Sequence, residues 1–349
     1  MVSHVDVFDQ RDTEDSTPSG GPPVPWSGPG RLVRHRLSAA AADKAFALAK
    51  SCAAAYGSAH DEGFLADAPV LAHDLPSSVR RAANAARLDD RKHAFILSGN
   101  TIEPWLEPTP AFWHEADTEA SGPYGFLLVL YAALLGDPIG WGTQQDGRVV
   151  TDVLPARGLE HSLVSASSER ELGWHTEDAF SESRADHVGL FCLRDRGDIP
   201  TTLSCADPAS LPRDIVRVLA QKRFVIHPDP SHSAAVGTGP DRERVALLSG
   251  PGEAPVLRID RDFTVADEDD PEAVRAMEAL IAQLDANMYE VVLGAGDVCF
   301  IDNRNVVHGR RPFRAGFDGK DRWLKRVNVV TDLRRTRDGR PSSSSRVVG

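Results

Sequence analysis

The sequence predicts a mainly β fold, a sandwich or jelly roll, carrying helical additions. Three observations lead there. Short β-rich runs crowd the second half of the chain, separated by turn residues. The first half instead holds apolar residues at helical spacing. No linker-like stretch divides the two, so residues 31–334 are expected to form a single domain.

The elements follow in order. Residues 1–30 are polar, rich in Pro, Gly and Asp, and lack the apolar core of a signal peptide, so they are expected to be disordered. From Ala39 to Tyr56 the chain is Ala-dense, with Phe46, Ala49, Cys52, Ala53 and Tyr56 spaced as on a helix. Residues 76–88 and 125–135 predict further helices. The second holds the longest apolar run, 126–135, about half of the roughly 20 residues a membrane helix needs. Gly136, Asp137 and Pro138 stop it. Strands are predicted over residues 188–193, 256–259, 291–293, 298–301 and 324–330. A helix over 272–288 interrupts them, opened by Asp270 and Pro271. The loop between Asp260 and that helix could close over a substrate. Residues 335–349, with a run of four serines, predict a flexible tail.

Composition excludes several classes. A net charge of -12 argues against broad contact with nucleic acid or an anionic membrane, and mildly favours a cationic substrate. The four cysteines, Cys52, Cys192, Cys205 and Cys299, form no C-x-x-C pair and suit the reduced core of a cytoplasmic protein.

The sharpest motif is Gly173-Trp174-His175-Thr176-Glu177-Asp178. On extended chain, residues i and i+2 share a side, so His175 and Glu177 could face one metal while Asp178 points away. His308 follows the strand at 298–301 and is the candidate third ligand. Two histidines and one carboxylate leave three positions open, the arrangement of non-haem Fe(II) oxygenases. 2-Oxoglutarate would fill two of them and O2 the third. Arg322 and Arg326 come next, four residues apart and so on one side of a strand. Arginine grips carboxylates through two parallel bonds, which an anionic co-substrate beside iron requires.

Together, residues 173–180, the stretch from Asp302-Asn303 through His308-Gly309-Arg310, and Arg322 and Arg326 resemble the clavaminate synthase-like Fe(II)/2-oxoglutarate oxygenases. Within them the likeness is greatest to bacterial arginine β-hydroxylases, which supply hydroxyarginine for peptide antibiotics. It runs from about residue 140 to 333. It implies a double-stranded β-helix (jelly roll) core and hydroxylation of a free amino acid, with 2-oxoglutarate becoming succinate and CO2. Carried over by position, His175, Glu177 and His308 match the iron ligands and Arg322 the grip on the far carboxylate of 2-oxoglutarate. Thr202 matches a threonine beside that co-substrate, with Thr201 as the alternative. Arg326 matches the holder of the substrate α-carboxylate. Gln144 matches a residue near the α-amino group, with Gln145 as its rival. Asp260 and Asp262 match an aspartate pair that binds guanidinium, and on a strand they would share a face. The flanking Arg258 and Arg261 could instead simply pair with them.

Two other readings use the same residues. One is a zinc hydrolase with the same three ligands, which leaves Arg322 and Arg326 unexplained. The other is a non-catalytic jelly-roll binding module with structural histidines. A halogenase is disfavoured, because Glu177 stands where a halide would bind.

Overall fold

The computed structural model describes residues 31–162, 164–196, 199–232, 243–252 and 254–349. The expected disorder of residues 1–30 therefore falls outside the described residues. The first half runs β1 (Leu32–Arg36), α1 (Ala39–Tyr56), α2 (Glu62–Leu71), α3 (Ser77–Arg87), β2 (Ala94–Ser98) and α4 (Gly122–Ala132). Next come β3 (Asp137–Trp141), β4 (Val150–Val153), β5 (Leu172–His175), β6 (His187–Arg194) and β7 (Thr201–Cys205). Then follow α5 (Arg213–Leu219), β8 (Phe224–Ile226), β9 (Leu248–Ser249), β10 (Val256–Leu257), β11 (Thr264–Ala266) and α6 (Pro271–Ala286). The chain ends with β12 (Tyr289–Val291), β13 (Val298–Asp302), β14 (Val306–Arg310), β15 (Trp323–Val330) and β16 (Val347–Val348).

Two sheets face each other. The larger has the order β1-β2-β13-β6-β15-β3-β16, with β4 also pairing β15; the smaller has the order β12-β7-β14-β5. Period-2 alternation sorts every central strand of the larger sheet. Ile96, Leu190, Cys192, Cys299, Ile301 and Leu324 point between the sheets, where they meet Leu203 and Val306. Phe95, Leu97, Phe191, Phe300, Trp323 and Val327 point outward into a core shared with α1, α2 and α4. On the far side, α5 and α6 cover the smaller sheet around Trp174 and Val307. The jelly-roll reading is thus met, with helices on both outer faces.

Local signals placed the helices. Ser38 caps α1, accepting from Ala41 N, and Gly57 ends it at φ +75°. Asp270 caps α6 and Pro271 opens it. The structure adds elements without a sequence expectation, among them α2, α5, β5, β7 and β14. It shortens the strand expected at 256–259 to β10 and shifts that at 291–293 to β12, and two segments take another form. Residues 335–349 are not a loose tail. Val347 and Val348 lie parallel on β3, and buried Val348 packs with Ile139, Trp141 and Val330. The Arg340 guanidinium knots the serine-rich stretch by donating to the carbonyls of Ser343 (2.8 Å) and Ser345 (2.7 Å). The segment after Asp260 is not wholly a loop either, since β11 pairs antiparallel with β8.

Candidate active site

The site grows from two adjacent strands. His308 of β14 stands directly opposite His175 of β5, which brings the imidazole centroids to 4.7 Å. Glu177 follows β5 and turns its carboxylate to the same side. Its Oε2 lies 3.3 Å from His175 Nε2 and 3.4 Å from His308 Nε2. The ligand atoms of these three residues lie within 4.8 Å of one another, the one such cluster among the described residues. His175 and Glu177, two residues apart, thus present their side chains to one point. Asp178 points away as expected. It has φ +54°, and its carboxylate accepts from Trp141 Nε1 at 2.6 Å and Asn328 Nδ2 at 3.1 Å.

The surroundings fix the ligands. His175 Nδ1 meets the Gly173 carbonyl at 2.9 Å, so Nε2 is the nitrogen left for a metal. Asn303, fully buried, grips the Glu177 backbone from both sides, accepting from its N at 2.7 Å and donating to its O at 3.1 Å. Arg326 Nη1 holds Glu177 Oε1 at 2.5 Å, leaving Oε2 toward the histidines. Burial opposes a charged Glu177, but Arg326 and the two histidines hold its carboxyl well below the usual range. Burial likewise opposes a charged His175; the hydrogen bond and charge of Glu177 overcome it and raise the imidazole to about 9. Burial lowers His308. An anionic carboxylate between two imidazoles fits a divalent cation, and two nitrogens with one oxygen suit iron(II).

A cavity of about 320 Å³ opens beside the cluster, a size suited to a small molecule. Arg322, Leu324 and Arg326, alternate residues entering and following β15, all line it. Arg322 is buried and donates to Thr201 Oγ1 at 3.1 Å. Of the two candidate threonines, Thr201 lines this cavity and Thr202 does not. Alternation along β7 turns Thr202 to the outer face, where a Cβ added at Gly309 would lie 3.0 Å from its hydroxyl. Arg310, to which the motif gave no role, also lines the cavity. Its guanidinium is spent on the Ser167 carbonyl, Ser167 Oγ (3.0 Å) and the Arg170 carbonyl (2.9 Å), so it pins that loop against β14.

Gln144 sits where β3 passes to β4, and its Oε1 accepts from Arg326 Nη2 at 2.7 Å. Its rival Gln145 instead brackets Asp152, donating to its O and accepting from its N. Asp260 and Asp262 both line the cavity; Asp260 makes an isolated antiparallel bridge with His175 and the chain turns directly after it, so the pair does not lie on one strand. Asp260 Oδ1 accepts from Asp262 N at 2.9 Å and Phe263 N at 3.1 Å, which makes the turn. Burial pushes the Asp260 carboxyl up to about 6 against the pull of His175. The Asp262 carboxylate leans over Gly173, where a Cβ would come within 2.7 Å of it. The flanking arginines do not pair with these aspartates: Arg258 bonds Glu182 and the Ala179 carbonyl, and Arg261 bonds Asp285.

Comparison with known proteins bears on this geometry. The model of the taurine catabolism dioxygenase TauD, TfdA family matches residues 213–328. The chain is 38% identical over 326 residues to enduracididine beta-hydroxylase of Streptomyces hygroscopicus, covering 86% of this chain and 95% of that one. It is 35% identical over 341 residues to L-ornithine/L-arginine 3-hydroxylase of Catenulispora acidiphila, covering 90% and 99%. The structure superposes on the non-heme iron oxygenase OrfP, solved with Fe, succinate and (3S)-hydroxy-L-Arg, at a TM-score of 0.86 and 40% identity, covering 90% and 99%. OrfP has also been solved with Fe and alpha-ketoglutaric acid, and with Fe and L-Arg. With relatives of this identity covered over nearly their whole length, the chain belongs to the TauD/TfdA family, as an iron(II)- and 2-oxoglutarate-dependent amino acid hydroxylase.

Proposed function

We propose that this enzyme hydroxylates the β carbon (C3) of free L-arginine, or of a guanidine-bearing relative such as enduracididine, in the making of an antibiotic or related natural product. His175, Glu177 and His308 hold the iron. Held there with 2-oxoglutarate, iron(II) would activate O2, the oxidant, one atom of which goes to the substrate carbon and the other to succinate as 2-oxoglutarate loses CO2. Arg322 grips the far carboxylate of 2-oxoglutarate with Thr201 beside it. Arg326 takes the substrate α-carboxylate and Gln144 the α-amino group. Asp260 and Asp262 take the guanidinium. The chain thus anchors both ends of an extended amino acid, so that a middle carbon lies near the metal.

The observation that carries this reading is the pair of cavity carboxylates without a cationic partner. Among the described residues neither Asp260 nor Asp262 forms an ion pair with Lys or Arg, although arginines flank both. Asp260 is half-buried, where a carboxylate without a cation is costly, Asp262 stands exposed beside it, and a planar guanidinium can use both at once. A lysine ammonium is a point charge and cannot. The buried free cysteines support a cytoplasmic setting. No described helix is long and apolar enough to cross a membrane.

The test compares arginine, enduracididine, citrulline, lysine and ornithine, with product located by mass spectrometry and NMR. In the Asp260→Ala/Asp262→Ala double variant, iron and 2-oxoglutarate binding should persist. Arginine turnover should fall by about two orders of magnitude, on the order of 3 kcal/mol for a guanidinium left without its carboxylates. If citrulline or lysine matches arginine, or the double variant hydroxylates arginine well, the guanidinium reading is wrong.

A further inference from the structure

The segment leaving β8 borders the cavity through His227, Asp229 and Ser231, and then sends His232 straight into the protein. His232 is completely buried. Nothing in the sequence marks it, and the roles proposed above do not use it.

Its ring joins stretches of chain that border the cavity. Its Nδ1 shares a hydrogen bond of 2.7 Å with Thr143 Oγ1, just past β3. Its Nε2 lies 3.2 Å from Asp178 Oδ1, next to the ligand Glu177, and 2.9 Å from Gln144 Nε2. Its faces are covered by Trp141 at 5.2 Å and Phe180 at 4.8 Å between ring centroids. The preceding residue reinforces the junction, because Ser231 Oγ accepts from Gln144 Nε2 at 3.2 Å. Asp229 shapes the turn that delivers both, its Oδ1 accepting from Ser231 N at 2.6 Å and its carbonyl from His232 N at 3.0 Å.

We infer that His232 is a positioning residue: it latches the 227–232 segment over the cavity and sets the Gln144 amide for the amino-acid end of the substrate. The inference rests on the proposed role of Gln144 and Arg326 at that end. With its Nε2 held at Ser231 and His232, the Gln144 amide has one orientation, its oxygen toward Arg326. An amide free to rotate would offer Arg326 and the substrate the wrong atom half of the time. The latch touches neither Arg322 nor Thr201, so 2-oxoglutarate binding is independent of it.

His232→Phe keeps the ring packing on Trp141 and Phe180 and removes both ring nitrogens. Hydrogen exchange on the substrate-free protein reads the latch directly. Amides of 227–232 and 141–145 should exchange at least tenfold faster, and those of 306–310 should be unchanged. The dissociation constant of arginine should rise about tenfold or more, and that of 2-oxoglutarate should stay within twofold. Thr143→Val should shift arginine binding in the same direction by less. His232→Gln, whose amide oxygen can still accept from Gln144 Nε2, should recover part of the loss. Unchanged exchange, or faster exchange throughout the chain, overturns the latch. Faster local exchange with unaltered arginine binding overturns the positioning role. Should wild type take a different amino acid, the substrate reading fails, while the exchange measurement and the same affinity ratio for that amino acid still decide the latch.

Discussion

At the scale of single residues, the proposed iron ligands and the proposed co-substrate grip separate cleanly. His308 and His175 are opposed across one strand pair and Glu177 closes the triangle, so no fourth protein ligand is at hand among the described residues to compensate a loss. His175→Ala or His308→Ala should abolish iron binding and turnover, read by anaerobic Fe(II) titration; full activity in both variants would sink the assignment. Arg322 sits apart from this triangle and touches Thr201. Arg322→Ala should weaken 2-oxoglutarate by about 2 kcal/mol, roughly thirtyfold, since a charge-assisted bond outweighs an ordinary one. Arginine binding should suffer less. Equal 2-oxoglutarate affinity in variant and wild type would move the grip to another residue. The pair Thr201 and Thr202 shows the limit of local reading. Alternation guarantees that one of them faces the cavity, and only the neighbouring sheet decides which.

At the scale of elements, Asp186 is the tie that the motifs did not mention. It lies just before β6 and accepts from Thr331 N at 2.7 Å and from both terminal nitrogens of Arg335, at 3.0 and 2.9 Å; it also bonds Arg304. One carboxylate thereby joins the starts of β6 and β14 to the end of β15. Burial works against its charge, but Arg335, Arg304 and the Thr331 N–H hold its carboxyl far below the usual value. The sign follows from linkage: a folded pKa depressed below the unfolded value of about 3.9 gives stability that is present above that value. It is lost as pH falls from there toward the folded pKa. Asp186→Asn should cost about 2 kcal/mol at pH 7 and flatten the loss of stability below about pH 4. Denaturant melts from pH 7 to about pH 2.5 check both, and an unchanged acid slope would mean the carboxylate is not the tie.

At the scale of the whole molecule, the outward side chains of the larger sheet and the helices α1, α2 and α4 share one apolar core. We expect residues 31–334 to behave as a single oxygenase domain, with the helical first half and the β second half unfolding together. Far-UV dichroism and tryptophan fluorescence should give coincident transitions, because Trp323 is buried in that shared core. Two separated transitions would divide the chain in two. The acidic surface belongs to this scale as well, since it opposes anionic polymers over the whole protein while leaving the arginine-lined co-substrate end intact.

Whatever depends on chain period or local chemistry was legible before folding. His175 with Glu177, and Arg322 with Arg326, follow from two-residue alternation. The start of α6 follows from Asp270 and Pro271, and the stop of the apolar run from Gly136 to Pro138. The turn at Asp260 was also locally written, in a carboxylate able to accept from the N–H groups two and three residues on, and a strand reading passed over it. Whatever depends on a distant neighbour was settled only in three dimensions. Thr201 was chosen by Arg322, 121 residues away. Gln144, and not Gln145, meets Arg326 and Ser231. The serine-rich end became ordered only because β3 offered a free edge to Val347 and Val348. His232 owes its burial to three separate stretches closing around it. Period and capping act within a few residues, whereas burial and pairing depend on which segments meet, and only the folded chain fixes that.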